Sequence, residues 1–164
     1  MNNEGVARGI RRFTLRLAYR GLTAWWWAMR PVTIGVRVVL VRDEQVILVR
    51  HTYRPGWFLP GGGLKRGETL EAAARREARE EVGATLAATT FVGLYSSFSE
   101  HKSDHVAVFA CCDFTLDGTH DAEIAAAQAF PLDSFPAGVV PGTRERIADY
   151  LAVQGGATPR AGRW

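Results

Sequence analysis

Cysteine is scarce in this chain, which has only Cys111 and Cys112 among its 164 residues. The two are adjacent, and neighbours in an extended segment point to opposite faces, so they predict neither a structural disulfide nor a zinc site. Both stand in the apolar run that begins at Val106, so we expect them in or near the core, where free cysteine is common. Because no disulfide is predicted, we expect a reducing compartment and therefore a cytoplasmic protein.

Long apolar runs are missing as well. The tryptophan-rich stretch 22–29 is too short to span a bilayer, and it lacks the small-residue cleavage site of a signal peptide. A phosphate-binding loop of the nucleoside-triphosphatase type is also absent, because the glycine turn at 61–67 is not followed by Lys and Ser or Thr. A zinc site finds no matching pair of ligands beside the three histidines His101, His105 and His120.

Composition and charge indicate one globular domain with a basic extension. The chain is 47% hydrophobic and 23% charged, which excludes a disordered protein, and 164 residues suit a single core. Residues 1–30 hold six arginines and one glutamate, a net charge of +5, so the other 134 residues sum to −2. The overall charge of +3 therefore belongs to the extension, and no specific nucleic-acid partner is expected.

The extension has a helical pattern. Its apolar positions are Leu15, Ala18, Leu22, Trp25, Trp26 and Met29. Arginines fill much of the remaining surface, although Phe13 and Leu17 interrupt the pattern. Such a helix could lie in a membrane interface, pack on its own domain, or pack on a second subunit in a homodimer. The sequence leaves all three open, so a location peripheral to a membrane stands beside the cytoplasmic one.

An acidic helix follows the glycine turn. Glu77, Glu80 and Glu81 stand at i, i+3 and i+4, which places three carboxylates on one helical face. Like charges at these spacings cost about 0.2–0.5 kcal/mol per pair, so the cluster suggests a bound hard cation. The simpler alternative is a solvated face, in which Arg76 and Glu80 form an ordinary i, i+4 ion pair.

The spacing of the whole segment resembles the signature of the Nudix hydrolases, G-x5-E-x7-R-E-U-x-E-E-x-G-U, in which U is a bulky aliphatic residue. Every charged and glycine position matches, and the matching residues are Gly62, Glu68, Arg76, Glu77, Glu80, Glu81 and Gly83. The departures are Ala78 and Ala84 at the two U positions, where a larger side chain would pack under the helix. We expect these two to weaken packing and leave the chemistry intact.

The resemblance implies an α/β fold, the Nudix-type α/β/α sandwich with a mixed β-sheet, over residues 31–152. The tail at 153–164 is expected to be flexible. The residue patterns agree with an α/β protein. They predict strands at 32–41, 45–50, 89–95, 105–114 and 126–130, a helix at 71–82 with Gly83 as its C-cap, and a last helix from Thr143 as N-cap to Leu151.

The resemblance also implies a site for Mg²⁺, or Mn²⁺, which prefer carboxylate and phosphate oxygens. Glu77, Glu80 and Glu81 would be metal ligands, and the carbonyl of Gly61 another. Arg76 would orient a glutamate through a charge-assisted hydrogen bond. Glu68 would support the loop or reach the metal through water. The implied catalytic residues are Glu77, Glu80 and Arg76.

Nudix enzymes often add one more acid from the loop before a late strand, and here the candidate is Glu123. It could be a metal ligand or the general base, and as a catalytic residue it joins the three above. The alternative is a loop glutamate that faces water. Glu100 and Asp104 are the next candidates.

Candidate substrate residues carry a weaker signal. Cations that could contact phosphate are Arg50, His51, Arg54 and Lys102, and aromatic residues that could stack on a base or sugar are Tyr53, Trp57, Tyr95 and Phe98. For any one of them, a core residue or a solvated face is the more common explanation.

Together these features predict a Mg²⁺-dependent hydrolase that acts on a small-molecule nucleoside diphosphate derivative. A nucleotide sugar, ADP-ribose or a nucleoside triphosphate would all qualify. Two alternatives remain. One is a nucleotide-binding or regulatory module that keeps the fold without turnover, which the complete set of glutamates disfavours. The other is a membrane-peripheral hydrolase whose basic N-terminus contacts anionic lipid.

Overall fold

The computed structural model describes residues 18–22, 25, 27, 29, 31–99 and 102–164. The described residues between 18 and 29 are helical. Residues 1–17, and with them Leu15 of the predicted helix, lie outside this part, as do Trp26, Glu100 and His101. Within the described part, no helix is long and apolar enough to cross a bilayer.

From residue 31 onwards, the described part of the chain forms eight strands and two helices. In chain order they are β1 (Val32–Arg42), β2 (Gln45–His51), α1 (Leu70–Val82), β3 (Ala84–Leu86), β4 (Thr90–Ser97), β5 (Ser103–Cys111), β6 (Phe114–Leu116), β7 (Ile124–Pro131), α2 (Pro141–Gln154) and β8 (Arg160–Arg163). In the part described, six strands form a sheet in the order β7-β2-β1-β5-β4-β8, and β3 pairs with β6. Strand β1 runs parallel to β5 and antiparallel to β2, so the sheet is mixed, as predicted.

Alternate side chains of β1 are buried on opposite faces of the sheet. Val36, Val38 and Leu40 are buried in a core cluster that includes residues of α1. Val39 and Val41 belong to a second cluster that includes residues of α2. Because successive side chains of a strand point to opposite faces, one apolar strand serves two layers. The α/β/α sandwich is thereby confirmed.

Helix α1 has both of its ends capped. Thr69 accepts a hydrogen bond from the Ala72 amide at 3.1 Å, and Gly83 ends the helix in the left-handed conformation at φ 68°. At the two positions where the family has larger aliphatic residues, Ala78 and Ala84 are fully buried within the cluster under α1. The smaller side chains therefore still face the core.

Three expectations about local structure need correction. Helix α2 begins at Pro141 with Val140 as its N-cap and no capping side chain, because proline suits the first helical position. Thr143 lies inside the first turn and is buried. The predicted strand at 105–114 is two strands, and beyond the end of β5 the side chain of Cys112 is exposed, unlike that of Cys111.

The tail is also ordered, where the sequence suggested a flexible one. Its residues 160–163 form β8, which pairs in parallel with β4. The Trp164 amide donates to the Ser96 carbonyl at 3.0 Å, and its side chain packs against the cluster on the α2 side of the sheet. Edge pairing and burial of one large aromatic side chain stabilise a segment whose glycine-rich composition alone predicts fraying.

Candidate active site

A cleft of about 500 Å³ lies where α1, the loop before it, β1 and the loop before β7 meet. Four glutamates border it, three from α1 and one from the loop before β7: Glu77, Glu80, Glu81 and Glu123. Arg37, Arg54 and Lys102 border it as well. One cleft therefore offers carboxylates that can hold a cation and basic groups that can bind phosphate.

The glycine turn is held against β1 by backbone hydrogen bonds. The Val36 amide donates to the Gly62 carbonyl and the Val38 amide donates to the Pro60 carbonyl, both at 2.9 Å. Gly61 has φ 142° and a Cβ there would collide with the Val36 backbone, so glycine is needed. These bonds to β1 fix the position of the glycine turn.

Gly62 lies close to the carboxylate of Glu77. A Cβ on Gly62 would lie 2.6 Å from Glu77 Oε1, closer than such atoms can approach. The absence of a side chain at Gly62 therefore leaves room for the carboxylate of Glu77 at the turn.

Arg76 is the centre of the charged network on α1. It forms a two-point ion pair with Glu68, and its Nη1 lies 2.7 Å from Glu77 Oε1 and 2.9 Å from Glu80 Oε2. It also donates to the Gly63 carbonyl at 3.0 Å. These bonds raise the pKa of Arg76, so one guanidinium fixes two of the candidate ligands relative to the turn.

Glu81 is a buried carboxylate at the glycine turn. Its Oε2 accepts a hydrogen bond from the Gly61 amide at 2.8 Å. Burial raises its pKa to about 7, and the charges of Glu77 and Glu123 add to the rise, while Arg37 and the Gly61 amide lower it. Negative charge is therefore concentrated around this carboxylate, which favours a cation.

Glu123 lies outside α1, in a loop that is hydrogen-bonded to α1. Its carbonyl accepts the Thr52 amide at 2.8 Å, and the neighbouring Asp121 amide donates to the Glu80 carbonyl, also at 2.8 Å. The loop before β7 is thus anchored to the end of β2 and to α1. The charge of Glu123 raises the pKa of Glu81 and of Tyr53, so its carboxylate acts on the same cleft.

These oxygen donors fit a hard divalent cation such as Mg²⁺ or Mn²⁺. As the side chains stand, no three Asp, Glu, His or Cys groups among the described residues form a ready coordination cluster. Arg76 engages Glu77 and Glu80, and the Gly61 carbonyl accepts a hydrogen bond from Arg37. A cation would therefore compete with two arginines for its ligands.

Arg37 is a residue of the cleft that the sequence reasoning missed. Its Nη1 donates to the Leu59 carbonyl at 3.2 Å as well as to Gly61. Its charge lowers the pKa of both Glu81 and His51. The available signal was the one arginine within the apolar run 36–41 of β1, since a charge within a buried strand needs a partner.

His51 also borders the cleft, but as a neutral group. Burial lowers its pKa to about 4, with Arg37 and Arg54 adding to the shift. Its ring lies between those of Tyr53 and Phe58, at centroid distances of 5.2 and 5.5 Å. A neutral ring cannot hold phosphate by charge, so His51 is a hydrogen-bonding or packing residue.

The N-terminal helix reaches the cleft through Tyr19, which the sequence reasoning did not single out. The rings of Tyr19 and Tyr53 lie 5.3 Å apart, and both residues border the cleft. Tyr53 was one of the stacking candidates. Part of the cleft wall therefore comes from the extension.

The remaining candidates divide into two groups. Arg54, Lys102 and Asp104 border the cleft, and Lys102 Nζ lies 3.2 Å from Asp104 Oδ2. Arg50 does not border it and lies 5.3 Å from the Trp57 ring. Tyr95 is buried in the core cluster beside α2. The sequence could not separate these groups, because both contain strand-end residues of the same types.

Comparison with known proteins agrees with the motif. The NUDIX domain model matches residues 30–150. A Bacillus subtilis (strain 168) protein named "Putative 8-oxo-dGTP diphosphatase" is 30% identical over 115 residues, which cover 69% of this chain and 75% of the relative. An ADP-ribose pyrophosphatase of Methanocaldococcus jannaschii is 34% identical over 76 residues, 44% of this chain and 45% of the relative.

The fold also matches solved structures. The crystal structure of a MutT NUDIX hydrolase from Burkholderia pseudomallei aligns with a TM-score of 0.66 at 24% identity, covering 72% of this chain and 97% of that one. At this identity the likeness concerns the fold alone.

Proposed function

The chain belongs to the Nudix hydrolase family, and we propose that it is a Mg²⁺-dependent pyrophosphohydrolase, able to use Mn²⁺, that cleaves a diphosphate joining a nucleoside to another group. The observation that carries this proposal is the position of Glu123. It comes from a separate loop, yet it borders the same cleft as Glu77, Glu80 and Glu81. Basic residues on the same cleft suit the phosphates.

The proposed ligands are Glu77, Glu80, Glu81, Glu123 and the carbonyl of Gly61. A divalent ion held there would polarise phosphate oxygens and make a water molecule more acidic. In the reaction, the water oxygen bonds to phosphorus, the bridging P–O bond breaks, and the water gives up a proton. We assign Glu123 to accept that proton or to complete the metal site.

Arg76 and Glu68 have supporting roles in this proposal. Arg76 contacts two proposed ligands and the Gly63 carbonyl, while Glu68 holds Arg76 from the other side. Because the guanidinium is rigid and planar, it fixes both carboxylates at once. We propose that this geometry aligns the ligands before substrate arrives.

The substrate is proposed as a small-molecule nucleotide derivative. The names of two relatives mention 8-oxo-dGTP and ADP-ribose, which supports this chemical class. Arg54 and Lys102 border the cleft and are the proposed phosphate contacts. Arg50 and Tyr95, the other two sequence candidates, do not border it, so we do not assign them to the substrate.

A substrate panel tests the proposal. Folded protein should be incubated with ADP-ribose, nucleotide sugars, nucleoside di- and triphosphates and capped nucleotides, with Mg²⁺, Mn²⁺ or EDTA. We expect metal-dependent release of a nucleoside monophosphate or of phosphate, and none with EDTA. Absence of turnover with both metals across the panel would contradict the proposal, and tight nucleotide binding without turnover would favour the regulatory alternative.

A matched pair of variants tests the site. Glu123→Gln removes one charge from the cleft, and Glu44→Gln removes one from the exposed turn between β1 and β2. We expect Glu123→Gln to lower kcat by about 100-fold, within the range typical for a general base, and Glu44→Gln to match the parent. Equal activity of Glu123→Gln and the parent would remove Glu123 from the mechanism.

The N-terminal helix supports a second proposal, attachment to an anionic membrane surface. Trp25, Trp27 and Met29 are 52%, 64% and 63% exposed, and residues 1–30 carry a net charge of +5. Exposed tryptophans in a sequence segment rich in arginine suit the interface of an anionic bilayer.

Liposome co-sedimentation tests the attachment. The full chain should sediment with vesicles that contain phosphatidylserine, and less with purely phosphatidylcholine vesicles. The double variant Trp25→Ser and Trp27→Ser should lose binding. No sedimentation of the parent would contradict the proposal, and a parent dimer that the variant loses in ultracentrifugation would favour a homodimer instead.

A further inference from the structure

A second chamber of about 350 Å³ adjoins the cleft. The two spaces share their middle wall, which consists of Arg37, Arg54, Lys102, Asp104 and Val106. Three of these five side chains are basic. The candidate metal ligands border the cleft on one side of this wall and do not border the second chamber. The basic group therefore lies at the junction of two compartments, where a central diphosphate would be bound with room for a group at each end.

Trp164 borders the second chamber from the segment after α2, beyond the family match at 30–150. Its backbone is fixed by the bond from its amide to the Ser96 carbonyl. Its ring meets that of Tyr95 edge to face at a centroid distance of 6.3 Å. A Cβ on Gly142 would lie 2.9 Å from the indole Cδ1, so the indole packs directly on the start of α2.

The chemistry of this chamber differs from that of the cleft. Beyond the shared wall, the described lining residues carry no charged side chain. They supply aromatic and aliphatic surface from Trp164, Phe58 and Pro141, and hydroxyl groups from Ser97 and Ser99. A neutral ring with hydroxyl groups suits such a mixed surface. A terminal phosphate suits it poorly, because a buried charge needs a partner.

We propose that the second chamber binds a sugar ring on the far side of the diphosphate, and that Trp164 is a specificity-determining residue. This inference rests on the proposed function and narrows its range of substrates. The favoured substrates then carry a ring-bearing group at both ends of the diphosphate. Nucleoside triphosphates end in a charged phosphate, so they have no second ring that could occupy the chamber.

Paired kinetics test the role of Trp164. The parent and Trp164→Ala should be assayed with Mg²⁺ on ADP-ribose, which has a ribose at the far end, and on ATP, which has none. We expect Trp164→Ala to lower kcat/KM for ADP-ribose by about tenfold, the loss expected for one aromatic contact, and to change that for ATP much less. Trp164→Phe should recover most of the loss.

A core variant separates specificity from stability. Ile147 is buried in the same core cluster as Trp164 but borders neither space, so Ile147→Val should alter both substrates alike. Equal losses on ADP-ribose and ATP in Trp164→Ala would show a merely structural role and overturn the inference. No change with either substrate would overturn it too.

Binding measurements distinguish this inference from the proposed function. With Ca²⁺ in place of Mg²⁺, calorimetry should show that the parent binds ADP-ribose about tenfold more tightly than ADP, and that Trp164→Ala removes the difference. If the parent hydrolyses no substrate yet shows this preference, the proposed function fails and the chamber assignment stands. If the parent hydrolyses substrates but binds both nucleotides equally, only the chamber assignment fails.

Discussion

Arg76 and Glu68 form a two-point ion pair, with Nε 2.8 Å from Oε1 and Nη2 2.9 Å from Oε2. This contact, with a hydrogen bond from the Lys65 amide, lowers the pKa of Glu68 to about 2. The remaining guanidinium nitrogen is thereby free to face Glu77 and Glu80. The pair connects the loop before α1 to the acidic face of the helix.

Replacing Arg76 by lysine should lower activity without unfolding the protein. An ammonium group is a single point of charge, so it cannot hold Glu68 at two points and also reach Glu77 and Glu80. We expect Arg76→Lys to lower kcat/KM by about 10- to 100-fold, the usual effect of losing a group that positions metal ligands. Steady-state kinetics at saturating Mg²⁺ measures this.

Arg79→Lys provides the matched control on the same helix. Arg79 is exposed and donates to Thr85 Oγ1 at 3.2 Å, away from the glutamates of the cleft. Its variant should keep parental kinetics. Similar losses in both variants would mean that replacing any arginine of this helix by lysine lowers activity, and that the two-point pair is not the cause.

Gly62→Ala should disturb the site through one added methyl group. The new Cβ would lie 2.6 Å from Glu77 Oε1, so either the carboxylate or the turn must move. We expect a higher Mg²⁺ concentration for half-maximal activity and a kcat lowered by about tenfold or more, the usual result of displacing a metal ligand through its neighbours. A titration of activity against Mg²⁺ measures both.

Gly67→Ala serves as a comparison in the same loop. Gly67 has a positive φ, at 80°, and an added Cβ there would have no heavy atom within 4 Å. Gly67→Ala therefore has a backbone cost that Gly62→Ala lacks, but it makes no contact with a glutamate, so it should leave the Mg²⁺ dependence unchanged. Unchanged Mg²⁺ dependence in Gly62→Ala would show that Glu77 does not need its present position.

The pKa of His51 predicts a pH dependence of stability. Burial lowers that pKa from its ordinary value of 6.5 to about 4 in the folded protein, so between these values the unfolded chain binds more protons. Stability contributed by the neutral ring is therefore present above pH 6.5 and lost as pH falls to about 4. Over this range the loss should be about 3 kcal/mol.

Comparison with His51→Phe isolates this effect. The raised pKa of Glu81 acts in the opposite direction, since it lowers stability as pH rises from 4.5 to about 7, but both proteins share it. Urea unfolding in EDTA should show the parent losing stability relative to His51→Phe as pH falls. Parallel profiles would mean that His51 titrates normally in the folded protein.

Motif spacing predicted the acidic helix and its glycine turn, because both depend on residues close in sequence. Thr143 was mispredicted as an N-cap although the signal was local, because Pro141, two residues earlier, suits the first helical position. The tail was mispredicted because its strand depends on pairing of β8 with β4, a contact between residues more than 60 apart. Local pattern carries no information about such pairing.

The cleft shows the same limit. Three of its four glutamates come from one helix, whereas its basic side combines Arg37 of β1, Arg54 and Lys102 from different parts of the chain. The topology of the mixed sheet, with β1 beside β5, brings Arg37 and Lys102 to the same cleft. A substrate site built from several elements needs the fold before its residues can be chosen.

The tail contacts a buried ion pair whose disruption should be costly. Asp149 Oδ2 lies 2.9 Å from Arg146 Nε, and both residues are buried. Arg160 of β8 contacts the other oxygen of Asp149, with a side chain that is 67% exposed. Breaking a buried pair leaves an uncompensated charge, so Asp149→Ala should lower the free energy of unfolding by about 3–5 kcal/mol.

Two further variants serve as comparisons for this prediction. Urea unfolding measures the free energy of unfolding of each. Arg160→Ala removes a mostly exposed partner and should lower the free energy of unfolding far less than Asp149→Ala does. The double variant Arg146→Met and Asp149→Leu removes both buried charges and should be more stable than Asp149→Ala alone, because no buried charge is left without its partner. If the double variant is as unstable as Asp149→Ala, lost packing between α2 and Tyr95 is the cause, since Arg146 lies 3.7 Å from that ring.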